Sequence, residues 1–523
     1  MRFHPFSPHR GTSVEARLRS ERVTWLLGYG ACLALTAVVG VIGMGRYPTP
    51  YPLALLCVVV GCFVMLFRPV IGIYMIGFLT FIGDYAAVAS FPFAKNMSSK
   101  ESMLFVSPAL NVSPLELWIA MLLFGWMLQM AGSGRWTIRR GRLLGPIMAF
   151  SFFLITGLAV GLSRGGDSKI ALSELRPMTY LALLYPVVTN MLTRRQQYVR
   201  LYNAMLAGIV VNALLSYRHV RMLTPTERAN PESIMQHSTP LIMNVVIVML
   251  LSLRLFHGGT RLKRWALAAG LLPMLYVYLE VKRRAAIVGL LAGGLLLFAV
   301  LFWTNRRRFR RLAPIVFVLG MAYTAVFWSS SSTLGFPAQA AKTVIAPSSV
   351  SDRDRASNAY RDIETYDIKQ TIRSSPLTGI GFGKPFLRPL ALPAIADFVL
   401  ARYVTHNSML WVWMKMGAAG FVAMLYLFGT AMRTGARAAL RTPRGEYAAL
   451  TATSAAFVLM FAVYTYVDIS WDAKSMVFLA IAMAQIDSVA LVPEEAEADA
   501  EAAPVGEADL PLDDPFELAT STA

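Results

Sequence analysis

Long apolar stretches alternate with short polar connectors along nearly the whole chain. A helix needs about 20 residues, at 1.5 Å each, to cross a hydrocarbon core of ~30 Å. The apolar runs here are continuous, unlike the alternating ten-residue strands of a barrel. The pattern predicts an all-α polytopic integral membrane protein with about 14 spans. They fall roughly at 23–43, 51–67, 70–89, 114–131, 144–162, 177–193, 201–217, 240–256, 265–281, 285–303, 312–329, 406–430, 448–466 and 475–492. Two segments break the rhythm. Ser330–Thr405 is a polar stretch of about 75 residues, long enough to be functional or disordered. The tail Pro493–Ala523 holds ten acidic residues and no basic one, the signature of a disordered segment. The expected organisation is a basic N-terminus (1–22), an N-terminal bundle (23–329), a large loop (330–405), C-terminal spans (406–492) and the acidic tail (493–523). Neither a solenoid repeat nor an inverted repeat is evident.

Composition agrees. The 523 residues are 56% hydrophobic and only 15% charged, with a mean hydropathy of +0.52. A soluble domain is about a quarter charged, so a single soluble globule and a disordered chain are both excluded. The net charge of +19 would suggest nucleic acid in a soluble protein. In a polytopic chain the positive-inside rule comes first. With a cytoplasmic N-terminus, the inner segments hold the clusters Arg135/Arg139/Arg140/Arg142, Arg194/Arg195/Arg200, Arg261/Lys263/Arg264, Arg306–Arg311 and Arg433–Arg444. Over short loops the bias is about twofold in that direction, and an even span number puts the C-terminus inside too. No small-residue cleavage site follows the basic N-terminus, so the first span is expected to be retained. Cys32, Cys57 and Cys62 all lie in apolar spans and offer no disulfide or zinc framework.

Several basic residues do not fit the topology. Lys282-Arg283-Arg284 falls on the outer face between two spans with almost no loop. It reads either as a snorkelling anchor or as an anion site, since arginine presents a planar fork that chelates phosphate. Glu280, one turn away, would orient or neutralise a guanidinium. Arg176 before Pro177 repeats the arrangement at the head of another span, beside Arg164, Asp167 and Glu174. In the long loop, Arg361 opens a stretch that predicts an amphipathic helix with Ile363, Tyr366, Ile368 and Ile372 on its apolar side. Pro376 and Gly379 end it in a turn, Gly379-Ile-Gly381-Phe-Gly383. No strand precedes this turn and no Lys-Ser/Thr follows, so it is not a nucleotide loop. A structural turn and a weak phosphate cradle both remain open. His406 stands at the outer mouth of a span, where a ring with a pKa near 6.5 can take a proton. Trp413 is expected on its face, and Gly417 and Gly420 on one close-packing face. Lys415 lies well inside the span and needs a partner or water, as do Asp84, Glu116, Asn212, Asn244 and Asp468. Asp352-Arg-Asp354 has the spacing of a metal motif but sits in a charged, solvated run.

The order His406-Asn407, nine residues, Gly417, two residues, Gly420 resembles the signature of bacterial O-antigen ligases and related polysaccharide polymerases. Pro376-Leu-Thr-Gly-Ile-Gly-Phe-Gly383 is similar to that family's turn before the histidine. Arg361 falls where the family carries an arginine in its large periplasmic loop, and Arg284 resembles its arginine at the start of a span. The likeness covers roughly 280–425. Arg283 stands where the family often has serine, Phe421 where the ligase version often has threonine, and fourteen spans exceed the usual dozen. A polymerase or another glycan transferase therefore stays open beside a ligase. The resemblance implies a GT-C-like architecture in the bacterial inner membrane, with both termini cytoplasmic and one large periplasmic loop between spans 11 and 12. It implies transfer of a glycan from an undecaprenyl-diphosphate donor to a sugar hydroxyl, on a growing glycan or on lipid A core, without metal, nucleotide or other cofactor. His406, Arg284 and Arg361 would be catalytic. Arg176, Arg283, Asn407, Gly381 and Gly383 would bind the diphosphate or glycan. Partners would be the bilayer and other polysaccharide assembly proteins, with no nucleic acid. The competing readings are a transporter or flippase for a lipid-linked or anionic solute, and a scaffold for an assembly complex.

Overall fold

The computed structural model describes residues 51–492, except 85, 88–92, 94, 101, 103, 135, 331, 347–351 and 393–399. The basic N-terminus, the expected span 23–43, Cys32, Arg135 and the acidic tail lie outside the described residues. The described chain is helical, with no strand. Its main helices are α1 (Tyr51–Phe67), α2 (Pro69–Ile82), α3 (Pro114–Ser133), α4 (Leu144–Ser163), α5 (Ser168–Met191), α6 (Arg195–Met222), α7 (Thr239–Leu255) and α8 (Arg261–Glu280). They continue as α9 (Arg284–Thr304), α10 (Arg306–Phe327), α11 (Phe336–Ile345), α12 (Asp352–Ser374), α13 (Ser408–Arg441), α14 (Glu446–Val467) and α15 (Ala473–Leu491). Two single-turn helices, Pro225–Arg228 and Pro231–Ile234, lie between α6 and α7.

Every apolar run expected from residue 51 onward contains a helix, though the run 70–89 is helical only as far as Ile82, and fewer qualify as spans. Among the described residues, eight helices are long and apolar enough to cross a membrane: α3, α4, α6, α9, α10, α13, α14 and α15. α2 and α7 are apolar but have only 14 and 17 residues. α1 is equally short, and α5 and α8 are long enough but more polar. Eight of the expected runs therefore qualify on these criteria, and the run 23–43 lies outside the described residues.

Burial separates two kinds of apolar helix. α14 and α15 are apolar or small all round and almost wholly enclosed, so they form the centre of the bundle. α10 is equally apolar at its middle yet has no buried residue, with Ile315, Phe317, Leu319 and Met321 all exposed. A surface of that kind is suited to lipid, not water. Phe298 and Phe302 of α9 pack on Phe309 of α10 near the connecting turn.

The bundle has two unlike ends. At one, Lys263 bonds Glu446, Arg308 bonds the carbonyls of Arg254 and Leu255, and Arg195 lies over Tyr447. This end gathers the basic clusters of the short connectors. At the other, the end of α2, the loop before α7, the α8–α9 turn, the α14–α15 loop and the start of α13 meet. Asp84 there takes hydrogen bonds from Gln236 N–H, Thr239 and Lys474, tying α2, α7 and α15 together.

The long polar segment is not a featureless loop. α11 caps α10, its Gln339 amide donating to the carbonyls of Phe327, Trp328 and Ser330. α12 is the expected amphipathic helix and ends just before Pro376. Ile368 and Ile372 are buried as expected, whereas Tyr366 is exposed.

Candidate functional site

α12 lies across the end of the bundle where α9 and α13 begin, and its side chains reach both. His406 sits in the loop before α13. Its backbone N–H donates to Glu364 Oε2 at 2.9 Å, and its ring Nδ1 lies 3.1 Å from both carboxylate oxygens. Glu364 is buried. A carboxylate so placed holds the hydrogen on Nδ1 and leaves Nε2 as the basic nitrogen. The Tyr360 ring meets the His406 ring edge to face at 5.6 Å. Sequence reasoning found His406 and missed Glu364. The signal was present: Glu364, Ile368 and Ile372 recur every fourth residue, so a carboxylate stands in the apolar stripe of α12.

The arginines converge on the same place from two elements. Arg284, the first residue of α9, donates to Asn358 Oδ1 at 3.0 Å, and its Nε lies 3.6 Å from Asp354. Arg361 approaches Asp468 at 3.9 Å. Asp354, Asn358 and Arg361 share one face of α12. Both ion pairs are longer than a charge-assisted hydrogen bond of about 2.8 Å. Asp354 is thus part of the site, not the solvated background its sequence context suggests.

Arg283 behaves differently. It donates to Glu232 at 3.1 Å and lies 2.7 Å from His237 Nδ1 and 3.8 Å from Asp468. Lys282, at φ 51°, adopts a left-handed conformation at the end of α8. That turn sends Arg283 and Arg284 to different partners. His237 is a second histidine at the site and was not singled out from the sequence. Its Nε2 is 2.7 Å from Glu232, its Nδ1 is 3.0 Å from Asp468, and its ring lies 6.1 Å from that of His406. Burial would raise the Asp468 carboxyl, but His237, Arg283 and Arg361 outweigh it and hold the group well below the usual range. Burial would likewise raise Glu232, yet His237 and Arg283 bring it down to about 2. Burial would lower His237, and the Asp468 carboxylate more than offsets this, so its pKa is raised. Glu280 does not orient either arginine; it accepts a hydrogen bond from Thr333 at 3.3 Å.

The glycine turn is a joint. Gly417 has φ 72° and ψ −176°, so α13 is broken there. The turn plugs the break. Ile380 N–H donates to Met414 O at 2.8 Å, Gly381 N–H to Lys415 O at 3.2 Å, and Ala418 N–H to Pro376 O at 2.9 Å. A Cβ on Gly417 would sit 2.0 Å from Leu377 O, and one on Gly381 would sit 2.2 Å from the backbone of Gly161. Phe382 N–H donates to Gly157 O, and Gly383 N–H to Glu174 at 2.6 Å. The amides of Gly381 and Gly383 are thus spent inside the protein and are not offered to a phosphate. The expected common face of Gly417 and Gly420 is also corrected, because the helix does not run unbroken through Gly417. Trp413 bonds Pro376 O, and His406 precedes the helix, so the two do not share a helical face.

With this geometry in place, the family comparison is informative. Residues 246–425 match a family model described as O-antigen ligase. This stretch is an O-antigen ligase/polymerase-like domain. No curated protein matches the chain. The ligase-like domain contains Arg283, Arg284, Glu364, Arg361, the glycine turn, His406 and the break at Gly417. Glu232, His237 and Asp468 complete the cluster from outside it.

Two residues named from the sequence turn out to have other partners. Arg176 is not at the head of a span, because α5 begins at Ser168, capped by Asp167, and Pro177 lies inside it. Its guanidinium bonds Glu116, Asn96 and the Asn111 carbonyl, none of which belongs to the ligase-like domain. Asn407 caps α13, accepting from Leu410 N–H at 3.0 Å. Lys415 is fully buried and pairs with Glu174 at 2.8 Å while donating to Lys384 O. Asn212 and Asn244 donate to the Ile82 and Ala286 carbonyls. Cys57 and Cys62 are free thiols. Among the described residues, no group of three or more His, Cys, Asp or Glu side chains is placed to hold a metal ion.

Proposed function

We propose that the protein is a membrane glycosyltransferase of surface-polysaccharide assembly. It moves a glycan from undecaprenyl diphosphate to a sugar hydroxyl, in polymerisation of repeat units or ligation to lipid A core. The observation that carries this reading is the convergence of the Glu364–His406 pair with Arg284 and Arg361 at one end of the bundle. The acceptor hydroxyl gives its proton to His406 Nε2 as its oxygen bonds the anomeric carbon. The carbon–oxygen bond to the diphosphate breaks, and the leaving charge is taken by Arg284 and Arg361. Diphosphate is a good leaving group, so the reaction needs neither a nucleotide nor a metal of its own. Placement of this end on the periplasmic side of the inner membrane, with both termini cytoplasmic, is supported by the basic clusters at the opposite end.

The buried charges that a transporter of an anionic solute would use are each bonded to an opposite charge: Lys415 to Glu174, and Asp84 to Lys474. The deciding test is transfer in vesicles from a purified lipid-linked donor by wild type and His406→Ala. Product formed at the wild-type rate by the variant would overturn the proposal. A deletion strain then separates the two branches. Single repeats without polymer mean a polymerase, and accumulated lipid-linked polymer means a ligase.

A further inference from the structure

His237 Nδ1 has two neighbours at bonding distance that make opposite demands on it. Arg283 Nη1, 2.7 Å away, only donates, so this bond needs a bare nitrogen. Asp468 Oδ1, 3.0 Å away, only accepts, so that bond needs a protonated one. Nε2 faces Glu232 and carries a hydrogen in either case. In the neutral ring, Arg283 is held by Nδ1 and Glu232. In the protonated ring, both nitrogens donate to carboxylates, and the new positive charge repels the Arg283 guanidinium. The repulsion acts in an enclosed place, where water screens it poorly. Arg283 Nε is already buried without a hydrogen-bond partner.

We propose that His237 is a positioning residue for the anion site: on gaining a proton it gives up Arg283, whose guanidinium then turns to the diphosphate beside Arg284. This rests on the diphosphate reading above. One proton is taken from solvent, the N–H···N bond from Arg283 is lost, and an N–H···O bond to Asp468 replaces it. No covalent bond changes. The groups facing His237 are Glu232 from the single-turn helix, Arg283 from the α8–α9 turn, and Tyr464 and Asp468 from α14 and its end. His406 faces it from the start of α13, with Arg361 of α12 on the far side of Asp468. Asp84 and Asp472 bond the adjacent Gln236 and Ser238. Two carboxylates and one arginine touch His237, and Arg361 pairs with Asp468 just beyond them. These four charges balance, so the added proton leaves a positive charge that an anion compensates. Proton and anion then bind cooperatively, each favouring the other by the same factor.

The test uses the full-length protein in phosphatidylcholine nanodiscs, titrated with undecaprenyl diphosphate between about pH 5 and 8. Linkage to one proton changes Kd by at most about tenfold per pH unit. The ionisation of the diphosphate itself is common to all variants, so the readout is the ratio of variant to wild-type Kd. For His237→Gln that ratio is expected to grow as pH falls, and for Arg283→Gln likewise. The double variant should be no weaker than the weaker single one. Should Arg283→Gln not fold, Arg283→Lys keeps the charge but loses the fork, and should show the same trend. A His237→Gln ratio constant with pH, or additive losses in the double variant, overturns the inference. If binding is also unchanged in Arg284→Ala, the diphosphate site falls with it. If Arg284→Ala weakens binding, only the role of His237 falls.

Discussion

Glu364 decides which nitrogen of His406 carries hydrogen. Glutamine at this position presents an N–H as readily as a carbonyl, so it no longer dictates the tautomer. Glu364→Gln is expected to lower kcat by about 10- to 100-fold with KM little changed, within the range that general-base catalysis contributes. Steady-state transfer from a lipid-linked donor measures this, and an unchanged kcat would rule out the role. Glu232 gives a prediction in pH. Its folded pKa, about 2, is below the ordinary glutamate value of 4.5, so its contribution to stability is present above the unfolded value and lost as pH falls toward 2. The melting-temperature gap between wild type and Glu232→Gln should therefore be widest above pH 4.5 and close on acidification. A gap that does not vary with pH would refute it. At this scale the sequence was informative wherever a polar residue interrupts an apolar run, as at Arg284 and His406. Glu364, His237 and Glu232 lie in stretches already polar, where one more carboxylate or ring attracts no notice.

α13 shows what periodicity hides. Residues 406–430 read as one unbroken span, yet the helix is interrupted at Gly417 to accept the turn from residues 376–383. Gly417→Ala meets both a left-handed φ and the Leu377 carbonyl, and should cost well over ~1 kcal/mol. Gly429→Ala, in the same helix with nothing near its Cβ position, should be neutral or stabilising by up to ~1 kcal/mol. Thermal melts of the two variants in detergent make the comparison, and equal effects would refute the plug. Beneath the turn, Lys415→Met strands the Glu174 carboxylate in a closed site, a loss of about 3–5 kcal/mol. The double variant with Glu174→Leu should recover most of it, and failure to recover would mean that the pair is not the reason Lys415 is tolerated. The start of α5 misled for a related reason. Glu174 and Arg176 look like a connector and Pro177 like a first helical residue, but tertiary partners for both charges let the helix begin at Ser168.

For the whole molecule, hydrophobic content and connector charge were enough to give an all-helical membrane protein with one basic end. They were not enough for the number of crossings. Apolar runs such as 51–67 and 240–256 become helices of 17 residues, at the short end of what a crossing uses, and enclosure by neighbours does not show in a hydropathy pattern. The orientation is testable. In a cysteine-free background, an impermeant thiol reagent should label Leu377→Cys, exposed at the site end, in cells with a permeabilised outer membrane. It should label Leu262→Cys, exposed at the basic end, only after the inner membrane is opened. The reverse pattern would put the candidate site in the cytoplasm.

The plugged break has a consequence for anyone exchanging parts between relatives. A graft bounded by the ends of the long polar segment, near residues 330 and 405, would separate the plug from its socket. The smallest transplantable piece is instead the block from Ser375 to Gly420, carried together with Gly157 and Gly161 of α4, on which Phe382 and Gly381 close, and with Glu174 of α5, which pairs with Lys415 and Gly383. Specificity swaps that respect this block keep the backbone bonds of α13 satisfied; those that cut through it leave carbonyls of Met414 and Lys415 without their donors.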